Sequence, residues 1–217
     1  IDDGRISAIL PSAEARQSFQ AQSSVDLASH AVIPGLVNAH THAAMTLLRG
    51  IADDLHLMDW LQNHIWPAEQ KWISEQFIHD GTQLAIAEML RGGSTCFNDM
   101  YFFADEVCEV LAEAGLRGVI AESLIDFPTP RCATTDEMFA RQRELIDSYR
   151  DHPLITPSVA AHAPYTVSAA HLVKEAELAE EFEVPMQIHL AETRWEVDTS
   201  LEDKGTSPVA YLADLGV

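Results

Sequence analysis

STCFNDMYFFADEVCEVLAEAGLRGVIAES, residues 94–123, reads as a strand, a helix and a second strand. Residues 94–99 and 118–123 are short apolar runs of strand length. Between them, residues 104–114 place Val107, Val110 and Leu111 at helical spacing, and Gly115 ends the helix. The same rhythm runs outward in both directions. Strand-like runs recur at 32–40, 155–162 and 184–190. Ser74 is placed to cap a helix carrying Phe77, Leu84, Ala87 and Leu90, which stops at Gly92-Gly93. Thr134-x-x-Glu137 is a capping-box pattern opening a helix toward Tyr149. Ser168 opens another through Leu172, Ala176 and Ala179, and Ser207-Pro208 starts a last one that Gly216 ends. Such alternation predicts an α/β fold, a parallel sheet with helices outside. An open doubly wound sheet and a closed barrel both fit it. No GxGxxG or Walker pattern follows the first strand, so a nucleotide-binding sheet loses ground. The segment 43–73 is long for a strand-to-helix connection and reads as a lid or binding loop.

The chain of 217 residues carries 34 acidic against 13 basic side chains, a formal charge of −21. That balance repels nucleic acid and anionic membrane and argues against both as partners. Cys96, Cys108 and Cys132 form no CxxC pair, so a disulfide framework is not expected and a reducing cytoplasm is the default. No apolar run reaches the roughly 20 residues that span a bilayer. No signal peptide is visible at the start, although the chain does not begin with Met. Residues 1–30 stand apart from the rest: 2–9 read as a hairpin turn running into a short strand, followed by a polar Ser/Gln/Ala-rich stretch. The expected division is 1–30 and 31–217.

The residues that carry chemistry lie at the ends of the expected strands. His40 and His42, in PGLVNAHTH, are spaced to present two imidazoles on one face of a strand. In a barrel that end is where active sites sit, and two neutral imidazoles suit zinc or iron(II). His189 ends the fifth strand in MQIHLAE, with Glu192 three residues later, where a loop can fold it back over a metal. Hydrolysis of an amidine-like C–N bond needs an activated water and a proton for the nitrogen, and Glu192 fits the acid. His162, ending the fourth strand, is a candidate ligand or substrate contact. No Lys lies between Lys71 and Lys174, which disfavours a lysine-bridged pair of metals and favours a single ion. Glu69 sits in the long first connection with Trp60, His64 and Trp66; the tryptophans are suited to cover a flat ring and the carboxylate to accept from hydroxyls. Nucleophilic catalysis is disfavoured, because there is no GxSxG elbow and no Cys beside a strand-end His.

Taken together, PGLVNAHTHAAMTLLRG, MDWLQNHIWPAE, GGSTCFNDMY, AAHAPYTVS and MQIHLAET resemble the amidohydrolase superfamily. Within it they are most similar to the 5′-methylthioadenosine/S-adenosylhomocysteine deaminases and the related chlorotriazine-hydrolase branch. The resemblance implies a (β/α)8 TIM-type barrel of which the first five strand–helix units are present, with residues 1–30 contributing to a small β-sandwich. It implies His40, His42 and His189 as ligands of one divalent metal, zinc or iron(II). It implies Glu192 as the acid for the purine ring nitrogen, His162 as a purine contact, Glu69 as the partner of ribose hydroxyls and Trp60 as a packing surface. The expected reaction is deamination of an adenosine-type nucleoside by a cytoplasmic homo-oligomer. A sixth-strand His and an eighth-strand Asp, which the superfamily also uses, are expected beyond Val217. The chain is accordingly read as a fragment that neither folds stably nor turns over alone. Arg117 and Arg131 fall in no motif that would bind the homocysteine carboxylate, so methylthioadenosine or adenosine is favoured over the homocysteine adduct. Guanine, 8-oxopurine or triazine hydrolysis is the rival chemistry, and a metal-free scaffold the rival of another class.

Overall fold

The computed structural model describes residues 1–217, which fall into two compact units, Ile1–Pro34 and Gly35–Val217. In the first unit the backbones of Asp2 and Arg5 exchange hydrogen bonds of 2.9 and 3.0 Å across a tight turn. Asp3 and Gly4 take φ of 46° and 71°, the left-handed conformation such a turn needs at its two central positions. The turn read from the sequence is present, but the strand expected after it is not. Helix α1 (Ser12–Ser18) follows instead, with none of its residues buried. Ile6 and Ile9 stay 68% and 87% exposed, and no neighbouring strand satisfies the backbone there. Within residues 1–34 the only strand-type pairing is therefore that of Asp2 with Arg5.

The second unit opens with β1 (Leu36–Thr41), then a 3-10 turn at Ala43–Leu48. The connection expected as a loop is largely helical: α2 (Leu57–Trp60), a wider π turn (Leu61–Ile65) and α3 (Trp66–Trp72) run on continuously. Pro67 explains the widening. It has no N–H to donate and its ring crowds the turn before it, so the chain opens and the Trp66 N–H reaches back to the Leu61 carbonyl. Next come α4 (Glu75–Gly92), β2 (Ser94–Tyr101), α5 (Ala104–Ala114), β3 (Arg117–Leu124) and α6 (Thr135–Tyr149). The fourth strand is split into β4 (Ile155–Pro157) and β5 (Val159–Ala161), because Pro157 donates nothing to the ladder; Ser158 N–H bridges the gap to the Ile120 carbonyl at 2.9 Å. Helix α7 (Ala169–Phe182), β6 (Met186–Ile188), α8 (Arg194–Lys204) and α9 (Pro208–Leu215) complete the chain.

Every strand pair is parallel and the order β1-β2-β3-β5-β6, with β4 also on β3, follows the sequence without reversal. A doubly wound sheet reverses at a switch point; an unreversed parallel sheet that curls is part of a barrel. The caps behave largely as read. Ser74, Thr134 and Ser207 accept bonds from Phe77, Glu137 and Ala210, and Glu137 closes the capping box. Ser168 makes no side-chain cap; its own N–H is taken by Asp126 Oδ2 at 2.8 Å. One core lies between the early strands and α4 and α5, where Ile78, Phe97, Leu111 and Ile120 are fully buried. Each contributes about 1.5–3 kcal/mol by leaving water. Gly81 lets α4 close on the 43–48 turn, since a Cβ there would meet the Ala44 carbonyl oxygen at 2.5 Å. A second core under α6 and α7 holds Leu124, Ile146, Leu172 and Leu178. These two cores fix the strand ends that carry the site.

Candidate active site

His40 and His42 leave the end of β1 with ring centroids 4.9 Å apart, and His189 follows β6 by one residue. The His189 ring lies 4.9 Å from that of His40 and 5.1 Å from that of His42. The nearest ring nitrogens of the three all lie within 4.8 Å of one another. Hydrogen bonds fix which nitrogen faces the centre. His42 Nδ1–H donates to the Met100 carbonyl at 2.6 Å, and His189 Nδ1–H to the His162 carbonyl at 2.8 Å. Their Nε2 atoms therefore face each other as bare lone pairs, 3.1 Å apart. Two ligands on one tetrahedral zinc stand roughly 3.3 Å apart at a zinc–nitrogen distance of about 2.05 Å. The donor set thus fits one divalent ion, with carbonyls behind the rings setting their tautomers. Burial, with the nearby His189, pushes His42 down to about 4, so the imidazole is neutral and able to coordinate. His40 is lowered too, by burial and by His189, against an opposing pull from the Glu192 carboxylate.

Beside the histidines a cavity of about 280 Å³ opens, walled by His42, Trp60, Trp66, Glu69, Tyr101 and His162 among others. Trp60 and Trp66 flank the widened turn at 61–65, and both line the same wall as Glu69. Glu69 is buried, and burial raises its carboxyl to about 7 although the Tyr101 hydroxyl donates to it at 2.6 Å. His162 stands 5.1 Å from the His189 ring but outside the group of converging nitrogens. The Thr166 hydroxyl donates to the Ala163 carbonyl and accepts from His162 Nδ1–H at 2.7 Å, leaving His162 Nε2 bare. Burial, then His189 and His42, push this ring down to about 3. Glu192 is exposed and is not part of the cavity wall; its carboxylate is close enough to His40 to oppose the lowering of that imidazole.

Several participants were not singled out from the sequence. Asp99, buried near the end of β2, accepts from the Thr41 hydroxyl and the Ala43 N–H, both at 2.6 Å, so it holds the side chain before His42 and the backbone after it. Tyr101 steadies Glu69. Glu196, on the first turn of α8, bonds the backbone at Ala191 and Glu192. Only the last has a local signature, Thr193-x-x-Glu196 before a helix.

A family model described as the amidohydrolase family matches residues 31–217. The chain belongs to that family. Among amidohydrolases similar to it, a protein of Saccharophagus degradans named 5-methylthioadenosine/S-adenosylhomocysteine deaminase is 47% identical over 100% of this chain and 49% of its own length. One of the same name from Thermodesulfovibrio yellowstonii is 48% identical over 86% of this chain and 42% of its own. The chain spans about half the length of the curated relatives it matches. A solved structure described as an adenosine deaminase from Xanthomonas campestris with bound zinc superposes with a TM-score of 0.93 at 50% identity, covering 96% of this chain and 48% of that one. A guanine deaminase from C. acetobutylicum shares the fold at a TM-score of 0.76 and 21% identity, over 85% of this chain and 46% of that one.

Proposed function

We propose that the protein hydrolyses the exocyclic amino group of an adenosine-type nucleoside (5′-methylthioadenosine, S-adenosylhomocysteine or adenosine), giving the inosine analogue and ammonia. The observation that carries this reading is the meeting of the His40, His42 and His189 nitrogens within 4.8 Å of one another beside a cavity walled by Trp60, Glu69 and His162. The deaminase name of the Saccharophagus degradans relative at 47% identity supports it. His40, His42 and His189 would hold one divalent ion, zinc by analogy with the Xanthomonas campestris protein, iron(II) as the alternative. Bound there, such an ion supplies Lewis acidity and brings the acidity of water toward neutral, about pH 7.

Four groups of this chain are assigned roles around such an ion. Glu192 donates a proton to the ring nitrogen, which draws electrons from C6 as water adds; one proton of that water passes to the amino group, which departs as ammonia, and the other restores Glu192. His162 meets the purine through its bare Nε2. Glu69 accepts from the ribose hydroxyls, held in place by Tyr101. Trp60 lies against the base. The same proposal places the enzyme in the cytoplasm as a homo-oligomer, which fractionation and sedimentation check. No helix in the chain is long and apolar enough to cross a membrane.

The test uses the complete protein, metal analysis and a panel of adenosine, methylthioadenosine, S-adenosylhomocysteine, guanine, 8-oxoguanine and a chlorotriazine, followed by ultraviolet absorbance and ammonia release. Turnover of the adenosine-type nucleosides with one equivalent of metal is expected. Turnover confined to triazines or oxidised purines, or a protein without stoichiometric metal, overturns the reading.

A further inference from the structure

We infer that Glu196 is the positioning residue for Glu192, acting by holding Ala191 in a left-handed backbone conformation. The inference rests on the proposed role of Glu192 as the acid. Glu196 is 2% exposed, and each carboxylate oxygen takes one backbone N–H: Oε1 that of Ala191 at 2.9 Å, Oε2 that of Glu192 at 2.8 Å. Ala191 has φ of 54°, where a residue with a Cβ rarely rests unless its surroundings hold it. The Glu196 N–H in turn bonds Thr193 Oγ1 at 3.3 Å, so the start of α8 fixes the carboxylate that fixes the turn.

This is not an ordinary helix cap. In a capping box the third helical residue returns to the N-cap residue, as Glu137 does in α6, where one oxygen takes the Thr134 N–H together with that of Ala133 and the box stays closed on the N-cap. Glu196 reaches past its own N-cap, Thr193, to the two residues before it. The far end of the same short span is pinned as well, because the His189 N–H and Nδ1–H both donate to the His162 carbonyl, at 3.0 and 2.8 Å. Between these pins Ala191 makes the sharp turn that sets the direction in which the Glu192 side chain leaves. That side chain is exposed and makes no hydrogen bond of its own, so the backbone turn is what sets the direction of its Cα–Cβ bond.

The experiment compares wild type, Glu196→Gln and Glu196→Gln with Ala191→Gly in the complete protein. Glutamine offers one acceptor where two are needed and turns an N–H toward an N–H. Amide exchange at residues 191 and 192 is expected to speed up at least about tenfold. kcat for the best nucleoside should fall about 10- to 100-fold, with KM and metal content unchanged. Glycine adopts positive φ freely, so adding Ala191→Gly should recover a measurable part of kcat. Unchanged exchange or wild-type kcat in Glu196→Gln overturns the inference. So does loss of metal and cooperative unfolding together that glycine does not relieve, since that marks a purely structural role. If the wild type turned over no nucleoside, the deaminase reading would fall, while exchange at 191 and 192 would still decide whether the clamp exists.

Discussion

Replacing Asp99 by alanine is expected to weaken zinc binding about 10- to 100-fold, although Asp99 touches no proposed ligand. Its Oδ1 accepts from the Thr41 hydroxyl and the Ala43 N–H, the groups flanking His42 in the chain. The Thr41 hydroxyl has a second acceptor in the Asn98 carbonyl at 2.9 Å. The Ala43 N–H is left without one, and a buried N–H without a partner costs about 1–3 kcal/mol. An opposing effect reduces that loss. Asp99 Oδ2 is buried without a partner, and burial raises the carboxyl to about 6, so truncation also removes a poorly solvated charge. A net loss of roughly 1–2 kcal/mol in stability is expected from these two effects. The larger effect falls on the metal, because the backbone beside His42 is freed while its ring still hangs on the Met100 carbonyl. Asp99→Asn keeps an oxygen where Oδ1 stands and should stay within about threefold of wild-type affinity. Titration of metal-free protein with zinc against a competing chelator measures affinity, and urea unfolding measures stability. An alanine variant that binds zinc as tightly as wild type, or an asparagine variant as weak as alanine, would refute the positional account.

Tyr101→Phe removes the hydroxyl that donates to Glu69 and lets its carboxyl rise above about 7. KM for the nucleoside should then increase roughly tenfold at pH 7, equivalent to one charge-assisted bond of about 1.5 kcal/mol, and the defect should shrink as rising pH restores the carboxylate. A KM that does not move, or moves equally at pH 7 and pH 9, counts against Glu69 as the hydroxyl acceptor. Glu175 is fully buried on α7 and held by the Gln142 amide at 2.6 Å, yet burial raises it to about 7. Its folded value lies above its unfolded one, so its contribution is complete below about pH 4.5 and is lost as pH climbs to 7. Glu175→Gln does not titrate and should gain on wild type by up to roughly 3 kcal/mol between pH 4.5 and 8, read from urea midpoints. Parallel stability curves for the two proteins would show that the burial argument is wrong.

The alternation of strands and helices, most caps and the strand-end places of His40, His42, His162 and His189 were all legible in the chain itself. Each rests on local rules: side-chain period, capping chemistry, and glycine where φ turns positive, as at Gly93, Gly115 and Gly216. Local rules also mark where reading stopped. The helical course of 57–72 was hidden because Pro67 suggests a break, whereas the chain absorbs it by widening one turn. Helix α8 was hidden because its polar sequence shows no apolar stripe. What only the tertiary structure decided is proximity. His42 and His189 are 147 residues apart and meet at 3.1 Å because five strand positions in unbroken order curl the sheet. The Tyr101–Glu69 bond and the Asp99 grip on Thr41 and Ala43 arise the same way. No pattern of short period encodes such meetings; they exist only once two packed cores have set where each strand ends.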